Sequence, residues 1–185
     1  MKKFLSILMV CLTVFAFTAC GKESAGSSST SSASYGSALE VFNLYWDNVT
    51  EKYPSIGGLY AADNAPADLD LNDASAKDMV MYTFFVPEAV AGKVTECASM
   101  IHMMNGNVFS GLVMKIDGMD TASAISALKD GIKGAQFMCG SPDQVYIAGY
   151  GSYVFYAFGE NSIMDELKTI LNGKGSNEFS SNLPL

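Results

Sequence analysis

The sequence predicts an α+β domain: an N-terminal helix followed by two strand-strand-helix units, with four strands in one antiparallel sheet and the helices packed on one face. Three observations lead there. Apolar runs of strand character flank Asn105-Gly106 and again Gly151-Ser152. After each pair, apolar residues recur three and four apart, the period of an amphipathic helix. Ahead of both units, Leu39, Phe42, Trp46, Val49 and Tyr53 share one helical face.

Each element has a local reason. The first helix ends before Pro54, which cannot continue it. Residues 55–76 read as a loop carrying Gly57-Gly58, Pro66 and the acids Asp68, Asp70 and Asp73. Met79–Val86 is ambiguous, because its aromatic and β-branched content favours a strand while the polar lead Asn72-Asp73-Ala74-Ser75 favours a helix start. Thr95–Met104 and Asn107–Ile116 form a hairpin about Asn105-Gly106, whose residues tolerate the positive φ of a type I′ turn. Asp120 caps a helix with Ile125, Leu128 and Ile132 on one face. Gln144–Tyr150 and Tyr153–Phe158 make the second hairpin. Ser162 opens the last helix, with Asp165 three residues on and a stripe of Ile163, Leu167, Ile170 and Leu171.

The N-terminus carries its own signal. Lys2 and Lys3, the apolar run Phe4–Phe17 and the small residues before Cys20 have the order of a secretory signal. Phe17-Thr18-Ala19-Cys20 resembles the lipobox of bacterial lipoproteins, which implies cleavage before Cys20 and a diacylglycerol on its thiol. The expected organisation is a signal peptide at 1–19, a flexible Ser-rich tether at 20–36, one domain at 37–171 and a disordered tail at 172–185. The tether holds the domain about 20 Å from the bilayer. The apolar run is shorter than the roughly 20 residues of a membrane span, so the chain is expected to be anchored to the membrane, facing the exterior.

Charge narrows the partners. Without residues 1–19 the chain keeps nine lysines against nineteen acids, a formal charge of −10, and it has no arginine. Phosphate recognition needs Arg forks or clustered Lys, so a nucleic-acid partner is not expected.

The hairpins set a register. One face collects Cys97, Ser99, Ile101, Leu112, Met114, Val145, Ile147, Val154, Tyr156 and Phe158, the expected core. The other collects Met100, His102, Phe109, Tyr146, Tyr150, Tyr153 and Phe155, too apolar to be left bare without reason. Two readings stand: the first helix or the 54–90 region covers this face, or part of it binds a protein, peptide or glycan.

Chemical motifs are weak. His102 is the only histidine, and the register puts Cys97 on the opposite strand face, which disfavours a Cys-His dyad. Ser126-Ala127-Leu128-Lys129 matches S-x-x-K without its companion motifs. Asp68–Asp73 begins like a Ca²⁺ loop, but Asp73 and Met79 stand where that loop needs Gly and Glu; a solvated acidic loop is the alternative to weak surface Ca²⁺ binding. Met100, His102 and Met104 share a strand face in the manner of soft copper ligands, although Met is also a common gap-filler. No metal and no cofactor is therefore expected. Cys97 and Cys139 either pair, as exported thiols do, or stay free.

Pro87-Glu88-Ala89-Val90, the run Ser99–Asn105, the loop Met138-Cys139-Gly140-Ser141-Pro142-Asp143 and Tyr153-Val154-Phe155 together resemble an uncharacterised family of lipoproteins from gut-dwelling Gram-positive bacteria, defined by a domain of unknown function. The similarity spans roughly residues 75–171. It implies a short helix at Met79–Phe85 and lipid attachment at Cys20, and it brings no activity with it. The functional expectation is a lipid-anchored, non-catalytic binding module acting through the aromatic sheet face or the 54–78 loop. The rivals are an accessory subunit of a membrane or cell-wall complex and a small extracellular hydrolase or redox protein using His102, Cys97 or Cys139.

Overall fold

A computed structural model describes residues 34–59, 62–137 and 140–185. The expected signal peptide, Cys20 and most of the expected tether lie outside the described residues, as do Met138 and Cys139. Among the described residues no helix is long and apolar enough to cross a membrane.

The chain runs α1 (Ala38–Trp46), β1 (Ser55–Gly57), β2 (Ala62–Asp63), β3 (Ala67–Asp68), α2 (Ala74–Asp78), a π-helical turn (Met79–Thr83), α3 (Glu88–Ala91), β4 (Val94–His102), β5 (Phe109–Ile116), α4 (Thr121–Lys133), β6 (Gln144–Tyr150), β7 (Tyr153–Gly159), α5 (Asn161–Leu171) and β8 (Ser176–Asn182). The fold is α+β, but its single sheet has eight strands instead of four, in the order β2-β1-β4-β5-β7-β6-β8 with β3 also on β4. All pairings are antiparallel.

The predicted register holds. Met100 faces Gly111, Ala98 faces Val113, and Tyr150 faces Tyr153. The turn of the first hairpin differs, since β4 stops at His102 and β5 starts at Phe109. Asn105 Oδ1 accepts the Asn107 amide at 2.9 Å, and its carbonyl accepts the Val108 amide at 3.0 Å, so the chain turns over 105–108. The Met103 amide meanwhile donates to the Pro54 carbonyl at 3.0 Å, away from β5.

The helices do not share a face. The aliphatic side packs Cys97, Leu112, Met114, Val145, Ile147, Val154, Tyr156 and Phe158 against Ala124, Ile125, Leu128 and Ile132 of α4. The aromatic side packs against Phe42, Tyr45 and Trp46 of α1 and Met164, Leu167 and Leu171 of α5. Strand order supplies the reason. β5 and β6 run parallel with β7 between them, and β7 and β8 run parallel with β6 between them. Each pair is joined by a helix, and both connections step the same way across the sheet. Because β5 and β7 point in opposite directions, connections of one hand put α4 and α5 on opposite faces.

Three local expectations also change. α1 ends at Trp46 and buries Ala38, Val41 and Tyr45 with Phe42, leaving Val49 and Tyr53 on the segment beyond it. Glu160, not Ser162, precedes α5 at its N-cap, and Asp143 Oδ2 accepts the Asn161 amide at 3.0 Å. The segment 172–185, expected as a disordered tail, contains β8. Its Ser/Asn-rich alternation lacks an apolar period, yet such polarity suits an edge strand that closes the flank of an otherwise exposed apolar β6.

Candidate functional site

The residues predicted to form a binding face are interior. Met100, Phe109, Tyr146 and Phe155 have no exposed surface, and Tyr150 and Tyr153 retain 1% and 2%. Phe155 stands 5.1 Å from the Phe42 ring and 6.3 Å from Tyr146, while Tyr45 is 5.7 Å from Phe109. Rings so enclosed are core, each contributing about 1.5–3 kcal/mol by burial. The covering reading is the one the structure adopts, and the aromatic sheet face offers no open surface.

His102, at the rim, is half-buried. Its ring lies 6.0 Å from Tyr53 at 30° between planes, and its Nδ1 accepts the Met104 amide at 3.3 Å. Cys97 faces the aliphatic side, so the two project from opposite faces of β4. Burial, and next the charges of Asp68 and Glu96, push the Cys97 thiol up to about 12, which keeps it protonated and unreactive near neutrality. Cys97 is a free thiol, and its prospective partner Cys139 lies outside the described residues. In the 54–78 segment, Asp73 caps α2 by accepting the Ser75 amide at 2.8 Å, and Asp70 Oδ1 accepts both the backbone and side-chain amides of Asn72 at 2.9 Å. These carboxylates shape turns. Among the described residues no three His, Cys, Asp or Glu side chains converge in a metal-binding arrangement.

A different place has the features of a site. At the β4-β5 turn, a cleft of about 360 Å³ opens between the π-helical turn, the 105–107 loop and the segment after α4. Phe85, Phe137 and Phe158 form its floor, with centroid distances of 4.9 Å (Phe85 to Phe137) and 5.5 Å (Phe137 to Phe158) in edge-to-face geometry. Tyr82 and Thr83 stand on one wall, and Asn105, Asn107, Ser110 and Gln136 supply neutral polar groups.

The backbone here departs from a regular α-helix. The Phe84 amide reaches back five residues to the Met79 carbonyl at 3.1 Å, the bond of a π-turn, a feature frequent at functional sites. Phe85 has φ of +55°, a left-handed conformation uncommon for an aromatic residue and concentrated where structure serves function. Val80, Phe84 and Val86 are anchored in the aliphatic core on either side. The approach of α4 fixes the rest. A methyl built on Gly131 falls 2.8 Å from Pro87 Cγ and 2.9 Å from the Phe85 carbonyl, so only glycine lets α4 lie this close.

The rim is equally organised. Asn105 uses its side-chain oxygen on the Asn107 amide, and Asn107 donates its own Nδ2 to the Gly140 carbonyl. Ser110 Oγ donates to the Gly106 carbonyl at 2.8 Å. Beside the cleft, Met103 and Met104 are 47% and 83% exposed, and Tyr82 is 71% exposed. With Leu185, they are the large apolar side chains exposed among the described residues. Sequence reasoning singled out Met104 only as a copper ligand and missed Tyr82, Phe85, Phe137 and the amides. The available signal was the consecutive Phe84-Phe85 ahead of Pro87, two bulky residues where a helix has to stop.

No protein-family model, curated protein or solved structure matches this chain.

Proposed function

We propose that the protein is a lipid-anchored extracellular binding module, non-catalytic, that presents the β4-β5 cleft away from the membrane. One observation carries the reading: chain entry and cleft lie at opposite ends of the sheet. Tyr35 stacks edge-on at 6.0 Å from Tyr150, and the Ala38 amide donates to Glu96 Oε1 at 2.6 Å. Glu96 and Tyr150 sit at the end of the sheet remote from His102 and Phe109. Six residue steps of β4 separate Glu96 from His102, about 20 Å at strand rise. A tether leaving Tyr35 toward an acylated Cys20 thus holds one end of the domain near the bilayer and leaves the Tyr82, Met103 and Met104 end outward. The resemblance to lipoproteins at Phe17-Thr18-Ala19-Cys20 supports the anchor.

The exposed Met103 and Met104 favour a second reading, an accessory subunit docked on a membrane or cell-wall complex, because methionine is enriched at protein interfaces. Mass spectrometry of the mature N-terminus tests the anchor: a diacylglyceryl Cys20 is expected, with Cys20→Ala releasing the protein from the membrane fraction. An unmodified Cys20 in native protein refutes it. Stoichiometric co-purification with a membrane complex that is lost in Met103→Ser/Met104→Ser favours the second reading.

A further inference from the structure

We propose that the cleft takes a neutral oligosaccharide, an inference that rests on this cleft being the binding site. Tyr82 offers an aromatic ring to solvent on one wall, with Phe85 and Phe137 half-buried behind it. Aromatic faces carry negative quadrupole density and attract the weakly positive C–H face of a pyranose ring. Three of the polar side chains beside these rings, Asn105, Asn107 and Gln136, are amides, and the turn has already sorted the first two. Asn105 spends its oxygen on the Asn107 backbone amide, which leaves its NH₂ group available as a donor. Asn107 spends its NH₂ group in the loop, which leaves its oxygen as an acceptor. A donor and an acceptor two residues apart in one turn, each side chain fixed by a local bond, match vicinal hydroxyls, each of which gives one hydrogen bond and takes another. Holding them in place before binding removes part of the ordering cost.

Charge and size select among ligands. The described residues that line the cleft carry no charged side chain, so neither a uronate nor a cationic group finds a counter-ion there. The formal charge of −10 on the chain beyond residue 19 opposes an anionic ligand further. A volume of about 360 Å³ belongs with small-ligand sites, whereas a stable protein partner needs roughly 800 Å² on each side. An apolar peptide is the competing occupant.

The test is a titration of the isotope-labelled full chain in detergent micelles, read at the side-chain amide signals of Asn105, Asn107 and Gln136. The probes, added separately, are tetrasaccharides of glucose, xylose, mannose, galactose and N-acetylglucosamine, an oligogalacturonate, and a pool of apolar acetylated tripeptides. At least one neutral tetrasaccharide is expected to shift these signals saturably, and the oligogalacturonate is not. Tyr82→Ala, at an exposed position that leaves the fold intact, is expected to weaken that binding about tenfold, with Tyr82→Phe within about twofold of the parent. The ligand class is overturned if no neutral saccharide moves the signals, if the uronate binds equally well, or if Tyr82→Ala binds like the parent. If the tripeptides alone move the same signals, the ligand class fails and the cleft stands as the site. If no probe moves them, or shifts arise only elsewhere, both readings fail.

Discussion

Gly111 tests whether α1 is the lid of the aromatic sheet face. It lies mid-strand in β5 opposite Met100, and a methyl built on it falls 2.8 Å from Cζ of both Phe109 and Phe42. Ring tips move cheaply only where there is room. Here Phe42 is pressed to 5.1 Å from Phe155, and Phe109 lies between Tyr45 at 5.7 Å and Tyr53 at 5.5 Å. Overpacking of such a core costs about 1–3 kcal/mol, offset by about 0.4–1 kcal/mol because alanine restricts the unfolded chain. Gly111→Ala should therefore lose about 1–2 kcal/mol, a fall in Tm of about 2–8 °C for a domain of this size. Phe42→Leu alone should cost about 1–2 kcal/mol through lost packing. Together they should lose less than their sum by at least about 0.5 kcal/mol, since the shorter leucine gives back the space the methyl takes. Denaturant unfolding of the four proteins measures the cycle. Strict additivity, or a Gly111→Ala protein as stable as the parent, refutes the packing of α1 on β5.

Other consequences follow from burial and edges. Cys97, with its thiol pushed up to about 12, should resist an alkylating reagent at pH 8 in the native protein and react on unfolding; mass spectrometry of the labelled peptide reads this, and fast native labelling contradicts it. Tyr45, Tyr53, Tyr146, Tyr150 and Tyr156 all have hydroxyls raised above the ordinary tyrosine value, chiefly by desolvation. A raised folded-state value means that this stability is complete below about pH 10 and is lost as pH rises beyond it, by up to about 1.4 kcal/mol per pH unit for each ring. Tyrosinate absorbance and circular dichroism should accordingly change together in one alkaline step, and tyrosinate forming in a fully folded chain contradicts the burial. Truncation after Asn172 removes β8 and bares the β6 edge, so the shortened chain should self-associate in light scattering while the parent does not.

Strand alternation was legible because it is local: the turns set the register, and period two sorted Cys97, Leu112 and Met114 from Met100, Phe109 and Phe155. Placement of the helices was not legible in the same way. It depends on β7 inserting between β5 and β6, a long-range pairing that no local pattern encodes. The same pairing converts the aromatic face from a candidate surface into core, because the connection through α5 must return on that side. β8 escaped notice since Ser176–Asn182 carries one buried-type residue, Phe179, and no alternation of apolar residues. The cleft draws Tyr82, Asn105 and Gln136 from segments more than twenty residues apart, each unremarkable in its own stretch.

The reading of a tethered domain with an outward-facing cleft is tested most directly by labelling living cells with a membrane-impermeant biotin maleimide. Met104→Cys, at a position 83% exposed beside the cleft, should be biotinylated on intact cells well above the unsubstituted chain, with the labelled protein in the membrane fraction. Adding Cys20→Ala should move that labelled protein to the medium. Labelling of the position-104 thiol only after lysis, or membrane retention that survives loss of Cys20, contradicts it.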